Sequence, residues 1–264
     1  MSSRATVLPA AAARALAAPL DLSRAATRIA AVGAQAVLAR RQAREARPLP
    51  ADVDARAARA YALHRLCGRL CRAQGIRVIP SGALPSGPVI LVSNHQSYLD
   101  PIVLGALTPC APIAKREIRG WPVMGEIMES MGTIFVDRAS AASGAAVLAT
   151  AQETLSRGVP VLCFPEGTTT DGTKLLPFRR GIFGVALATG VPVVPIAIEY
   201  DGPDIAWYGD MLFAPHYLKL AARREVLARI RIAPALRASD FDDAASLTDA
   251  ARAEIERNLP GKIT

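Results

Sequence analysis

Four short apolar runs constrain this chain more than any other feature. Residues 88–93 (PVILVS), 133–136 (TIFV), 159–164 (VPVLCF) and 191–199 (VPVVPIAIE) are rich in β-branched side chains, and a Gly-Pro turn bounds the first. Such runs are the mark of strands buried on both faces. Helical patterns lie between them, at 102–107, 139–156 and 181–189. The alternation predicts an α/β fold, a mostly parallel central sheet flanked by helices, because parallel neighbours need a crossover long enough to hold a helix. Residues 224–232, where Val226, Ala228, Ile230 and Ile232 alternate with Leu227, Arg229 and Arg231, add a last strand. Residues 246–259 read as a closing helix with Ser246 and Asp249 at capping-box spacing.

The N-terminal part is different in kind. Residues 1–80 carry 14 arginines, no lysine and four acids, a net of +10, whereas residues 81–264 carry 17 basic and 19 acidic groups, a net of −2. The sequence therefore divides into an Arg-rich helical region, 1–80, and a nearly neutral globular body, 81–264. Apolar residues make up 51% of the whole, which excludes wholesale disorder, and aromatics only 5%. The sparse aromatics leave no stacking platform interleaved with the arginines, which argues against a nucleic-acid partner.

An anionic lipid surface fits better. Residues 29–39 (IAAVGAQAVLA) form a mostly apolar stretch of 11 residues between Arg28 and Arg40; as a helix they cover about 16 Å, roughly half of a hydrocarbon core, so they are expected to lie in the interface rather than span it. Residues 54–73 repeat Leu63, Leu66, Cys67 and Leu70 at helical spacing with Arg65, Arg69 and Arg72 on the other side, and residues 41–50 read as a hinge between the two helices. Each Arg near an anionic leaflet contributes about 1 kcal/mol, enough in a cluster for reversible docking. The Ala-rich stretch 5–20 is interrupted by Pro9, Arg14 and Pro19 and makes neither a signal peptide nor a span. Four cysteines, Cys67, Cys71, Cys110 and Cys163, are too few for a disulfide scaffold and point to a reducing compartment. Cys67, Cys71 and His64 lack a fourth metal ligand and read as core.

The chemistry-bearing residues gather where the strands end, the edge at which α/β sheets place their sites. Directly after the first strand stand His95 and, five residues on, Asp100. A carboxylate on one imidazole nitrogen fixes the tautomer and stabilises the charged ring, leaving the other nitrogen as a base. The bland alternative is that Asp100 caps the helix opened by Pro101. There is no nucleophile elbow, Walker loop or GxGxxG in the chain, so a base without a protein nucleophile is expected to activate a substrate hydroxyl or a water. A second strand delivers Arg138, a fork suited to phosphate. A third delivers the turn 164–172 (FPEGTTTDG), with Arg179 and Arg180 close behind.

Taken in order, His95-x4-Asp100, 132–138 (GTIFVDR), 164–168 (FPEGT) and 191–196 (VPVVPI) resemble the four blocks of the glycerolipid acyltransferases, over about residues 85–240. Residues 113–118 (IAKREI) are similar to that family's Lys-containing stretch. The resemblance implies an O-acyltransferase of 1-acylglycerol-3-phosphate or lysophospholipid type, in phospholipid biosynthesis. It implies His95 as general base and Asp100 as its orienter. Arg138, Glu166, Gly167, Thr168, Lys115 and Arg179 are then implied in binding the acceptor and its phosphate. No metal and no cofactor are implied; the donor is an acyl thioester on coenzyme A or acyl carrier protein, the acceptor a lysophospholipid, and the protein sits peripherally on the cytoplasmic face of a membrane. The third block departs from the phosphatidate-forming enzymes, which usually carry Arg and Ser after the first Thr. Together with 207–211 (WYGDM) and the Phe213, Pro215, His216 cluster, its Thr-rich form looks more like the branch that acylates other lyso-lipids, including lyso-ornithine lipid. A metal-dependent hydrolase is the remoter alternative, since no further His/Asp cluster completes a site.

Overall fold

The computed structural model describes residues 21–44, 54–121, 123–137 and 141–259. The apolar runs become strands at their centres: β2 (Ile90–Ser93), β4 (Ile134–Val136), β5 (Val161–Cys163), β6 (Val193–Tyr200) and β7 (Val226–Ile232). Two further strands, β1 (Ile76–Ser81) and β3 (Ala111–Lys115), escape the sequence reading because Pro80 and Pro112 sit inside them and remove ladder donors. The seven strands form one sheet in the order β1-β7-β6-β2-β5-β3-β4, parallel at every pairing except β6–β7.

The helices are α1 (Leu22–Arg44), α2 (Ala55–Gln74), α3 (Asp100–Gly105), α4 (Arg116–Arg119), α5 (Met124–Ser130), α6 (Ala141–Ser156), α7 (Gly181–Thr189), α8 (Phe213–Ala222) and α9 (Ala244–Asn258). Period-two alternation in the strands feeds two cores. Ile90, Val92, Val161, Val193 and Ala197 meet α6, α7 and α9 on one face, while Leu91, Leu162, Val194, Ile196 and Ile198 meet α3, α8 and Cys71 of α2 on the other. Each fully buried Ile or Leu contributes about 1.5–3 kcal/mol, so the central strands are fixed from both sides. That rigidity holds the loops at their carboxyl ends.

The boundary expected at residue 80 falls inside β1, whose ladder with β7 runs from Ile76 to Ser81. The N-terminal helices are likewise bound to the body. Ala39 of α1 packs with Leu63, Leu66 and Cys67 of α2 and with Ile127 and Met131. Arg28 donates to the carbonyls of Arg223 (2.6 Å) and Arg224 (2.9 Å), Arg24 donates to that of Ala222 (3.0 Å), and Arg40 pairs with Glu126 at 2.7 Å. Several arginines expected to face lipid are therefore engaged with protein. Leu22, Ile29, Val37 and Leu38 of α1 remain exposed. No helix among the described residues is long and apolar enough to cross a membrane. The expected hinge begins with residues 41–44 still helical in α1; its remainder, 45–50, and the Ala-rich stretch 5–20 lie outside the described residues.

One local reading is corrected. The closing helix starts at Ala244, with Asp243 as its cap and Ser246 at the third helical position: Asp243 accepts from the Ser246 N–H at 2.8 Å. That donor holds the Asp243 carboxyl below the usual range. The acidic cap precedes the apolar periodicity, which is why the sequence pattern placed the start too late. Cys67, Cys71 and Cys110 are core residues, and burial pushes Cys71 up to about 11 and Cys110 up to about 12, so these thiols stay neutral. His64 Nδ1 lies 2.9 Å from the Gly105 carbonyl.

Candidate active site

The central strand β2 ends at Ser93, and the chain turns there through Asn94, His95, Gln96 and Ser97 into α3. Side chains extend the ladder where the strand stops. Asn94, itself buried, accepts from the Ile198 N–H through Oδ1 (2.8 Å) and donates to the Ile198 carbonyl through Nδ2 (3.0 Å), as a further β-residue would. Gln96 Nε2 donates to the same carbonyl at 2.8 Å.

Asp100 does not cap α3. It is the helix's first residue, and its carboxylate turns back onto the loop, fully buried. Oδ2 accepts from the Gln96 N–H (2.6 Å) and the Ser97 N–H (2.9 Å) and lies 2.7 Å from His95 Nδ1. Oδ1 accepts from the Tyr200 hydroxyl at 2.7 Å. The carboxylate oxygen is the acceptor of this contact, as it is toward the two amides, so Nδ1 of His95 carries the proton and donates. Nε2, across the ring, has no hydrogen-bond partner among the described residues, and the side chain keeps 19% of its surface open. The ring stacks on Phe164 with centroids 4.1 Å apart. A carboxylate-oriented imidazole whose second nitrogen is left without a partner is an arrangement able to serve as a general base.

The loop after β5 grips the His95 backbone. Glu166 is buried and divides its carboxylate between two amides, Oε1 to the His95 N–H (2.8 Å) and Oε2 to the Leu176 N–H (2.9 Å). Burial pushes its carboxyl above the usual range against the pull of those donors. The Thr170 N–H returns to the His95 carbonyl at 2.9 Å. Glu166 thus clasps two loops rather than presenting a free carboxylate. Glu166→Ala orphans both amides and is expected to cost about 2 kcal/mol of stability, read by denaturant melts, with a fall in turnover as His95 loosens. Gly167 is in the left-handed region at φ 78°, and a Cβ there would come within 2.8 Å of Arg179 Nε, so this glycine is what lets Arg179 lie over the turn. Thr168 is exposed beside it.

Lys115 shares the edge but stands apart from His95. Lys115 closes β3 and is exposed, in register with Val136 of β4. Arg138 lies outside the described residues; the last described position before it, Asp137, follows β4 and pairs with Arg116 at 3.1 Å. The exits of β2 and β4 stand three strand positions apart, roughly 14 Å. Arg116, Glu117, Arg119, Gly120 and Asp137 line a groove of about 530 Å³ by the β3 and β4 exits.

On the other flank, the 201–213 segment after β6 is stitched to the loop that carries His95. Trp207 N–H donates to the Gln96 carbonyl at 2.7 Å, and Tyr98 meets Trp207 and Phe213 edge-on. His216 Nε2 faces the carbonyls of Asp204 and Ala206, both at 3.1 Å, so it carries the proton and Nδ1 accepts from the Tyr98 hydroxyl, also at 3.1 Å. His216 is committed to structure. Sequence reasoning missed Tyr200, although it continues the same-face series Ile196, Ile198 along β6.

Comparison with known proteins bears on this geometry. A family model described as Acyltransferase matches residues 72–199. The chain is 43% identical to a lyso-ornithine lipid O-acyltransferase of Pseudomonas aeruginosa over 139 residues, 52% of this chain and 54% of that protein. It is 38% identical to a 1-acyl-sn-glycerol-3-phosphate acyltransferase of Neisseria gonorrhoeae over 121 residues, 46% of this chain and 47% of that one. The chain thus spans about half the length of these curated relatives. In fold it is similar to the crystal structure of the 1-acyl-sn-glycerophosphate (LPA) acyltransferase, PlsC, from Thermotoga maritima, with a TM-score of 0.68 at 22% identity, covering 90% of this chain and 94% of that one. With the family model lying across the β2 and β5 exits, and a His–Asp pair in contact at the first of them, these similarities support the glycerolipid acyltransferase family for this chain.

Proposed function

We propose that this chain is an O-acyltransferase that moves a fatty acyl group from a thioester of coenzyme A or acyl carrier protein to the free hydroxyl of a single-tailed lipid. The observation that carries the reading is the His95 Nδ1–Asp100 Oδ2 contact at 2.7 Å with Nε2 left to the solvent side. Nε2 takes the proton of the acceptor hydroxyl as its oxygen attacks the thioester carbonyl. The tetrahedral intermediate collapses, the C–S bond breaks, and the imidazolium returns the proton to the departing thiolate. Asp100 stabilises the imidazolium between those events. The reaction needs no group beyond its two substrates.

Two acceptor classes compete. The family resemblance favours a lysophospholipid of 1-acylglycerol-3-phosphate type, with Lys115, Arg138 and Arg179 supplying charge for the phosphate. The second reading, lyso-ornithine lipid, is favoured by the turn itself: Thr169 and Thr170 stand where the phosphatidate-forming enzymes carry an Arg and a Ser, and a headgroup without phosphate has no need of that guanidinium. The 43% identity to a lyso-ornithine lipid O-acyltransferase supports it as well. For the membrane, the exposed Leu22, Ile29, Val37 and Leu38 on an Arg-rich helix support peripheral seating on an anionic, cytoplasmic leaflet.

The test presents a labelled acyl thioester and, in parallel, lysophosphatidate, lysophosphatidylcholine, lysophosphatidylethanolamine and lyso-ornithine lipid in anionic vesicles at low and high salt. Diacylated product from lysophosphatidate or lyso-ornithine lipid is expected and names the branch. Vesicle binding is expected to weaken with salt. Thioester turned over only to free fatty acid, with every acceptor untouched, overturns the reading.

A further inference from the structure

We infer that Tyr200 is a positioning residue of the catalytic pair: its hydroxyl, buried at the end of β6, holds the Asp100 carboxylate and through it sets the proton affinity of His95. The inference rests on the reading of His95 as base and extends it to a side chain 100 positions away in sequence.

The geometry is asymmetric. Oδ2 of Asp100 has three donors, His95 Nδ1 and the Gln96 and Ser97 amides, whereas the Tyr200 hydroxyl alone donates to Oδ1 among the described residues, at 2.7 Å. Asp100 is fully buried and Tyr200 nearly so, which leaves no room for water to replace that donor. Burial and the neighbouring carboxylate push the phenol well above its usual range, so it remains a donor at every pH of interest. Tyr200 is held in turn by the β6–β2 and β6–β7 ladders. The other titratable groups facing the pair are Glu166 on the β5 loop, Cys71 on α2 and Tyr98 ahead of α3. Cys71 stays neutral, and burial raises Tyr98, which stays neutral too. Glu166 is the one further carboxyl group among them, and its hydrogen bonds go to the His95 and Leu176 amides, not to Tyr200.

The consequence is electrostatic. The O–H dipole points its positive end at Oδ1 and offsets part of the carboxylate charge that His95 senses. Removing it makes the site more negative and raises the pH at which the imidazole gains its second proton.

The test is Tyr200→Phe, which keeps the ring and removes one oxygen. The acid limb of the kcat/KM profile is expected to move up by about one pH unit, with activity down about tenfold on that limb, near wild type above it, and KM for the acceptor unchanged. The His95 imidazole titration, followed by NMR in the full chain without substrate and identified by its loss in His95→Ala, is expected to move by the same amount. Fluorinated tyrosine at this position, a stronger donor, is expected to move both midpoints down. Turnover lower at all pH with both midpoints unmoved overturns the inference and leaves Tyr200 a packing residue. Because the NMR titration needs no acyl transfer, a shifted midpoint in a chain that acylates nothing would fault the reading of the reaction and spare this one.

Discussion

His95→Ala is expected to lower kcat by a factor of about 10²–10⁴, the range general acid–base catalysis contributes, while the protein stays folded. Acyl transfer is read with saturating thioester, and folding by circular dichroism. The ring covers Phe164 and is one-fifth exposed, so its loss opens no sealed cavity. Oδ2 of Asp100 keeps the Gln96 and Ser97 amides, and Oδ1 keeps Tyr200. The buried charge therefore remains paired, and the defect should lie in the chemical step, with acceptor KM little changed. Full turnover by this variant would remove the base from the reaction.

Asp100→Asn is expected to cost about 10²–10⁴ in kcat, the range general acid–base catalysis contributes, because the imidazolium loses the carboxylate that stabilises it. An asparagine oxygen in the place of Oδ2 still accepts from the two amides and from Nδ1, which preserves the tautomer. Its amide group then faces the Tyr200 hydroxyl, whose oxygen is able to accept. What disappears is the negative charge that stabilises the imidazolium. Asp100→Ala removes the acceptor altogether and strands two amides, a phenol and the imidazole N–H in a site closed to water. Each orphaned donor costs about 1–3 kcal/mol. The pair of variants separates the two roles: both should be nearly inactive, yet only the alanine form should melt well below wild type. Equal melting losses would mean that Asp100 serves the fold alone.

The central strands were legible because both faces of β2, β5 and β6 are largely buried and the sequence there is mostly Val, Ile and Leu. At the sheet's edge, β1 buries only Ile76, so no alternation marks it. The α8 segment was likewise unread, its apolar side divided between Leu220 beneath and the exposed Leu212, Phe213 and Leu218 above. His95 and Asp100 were legible as a spacing. The three donors that hold Asp100 beside His95 include two backbone amides, which no residue identity announces. Glu166 drew attention as an acid in a turn, but that its oxygens are spent on His95 and Leu176 amides depends on loops 71 and 10 positions away.

The two ends of α1 are fastened to different parts of the body, Arg28 near one end to the backbone after α8 and Arg40 near the other to Glu126 of α5. A helix of 23 residues, about 34 Å long, fixed at two points acts as a strut and not as a tether. Tension or tilt applied along it is shared between the segment that abuts Tyr98 and the corner beside β4. The body cannot swing freely beneath this helix, so the direction in which the His95 mouth opens is set by how α1 lies.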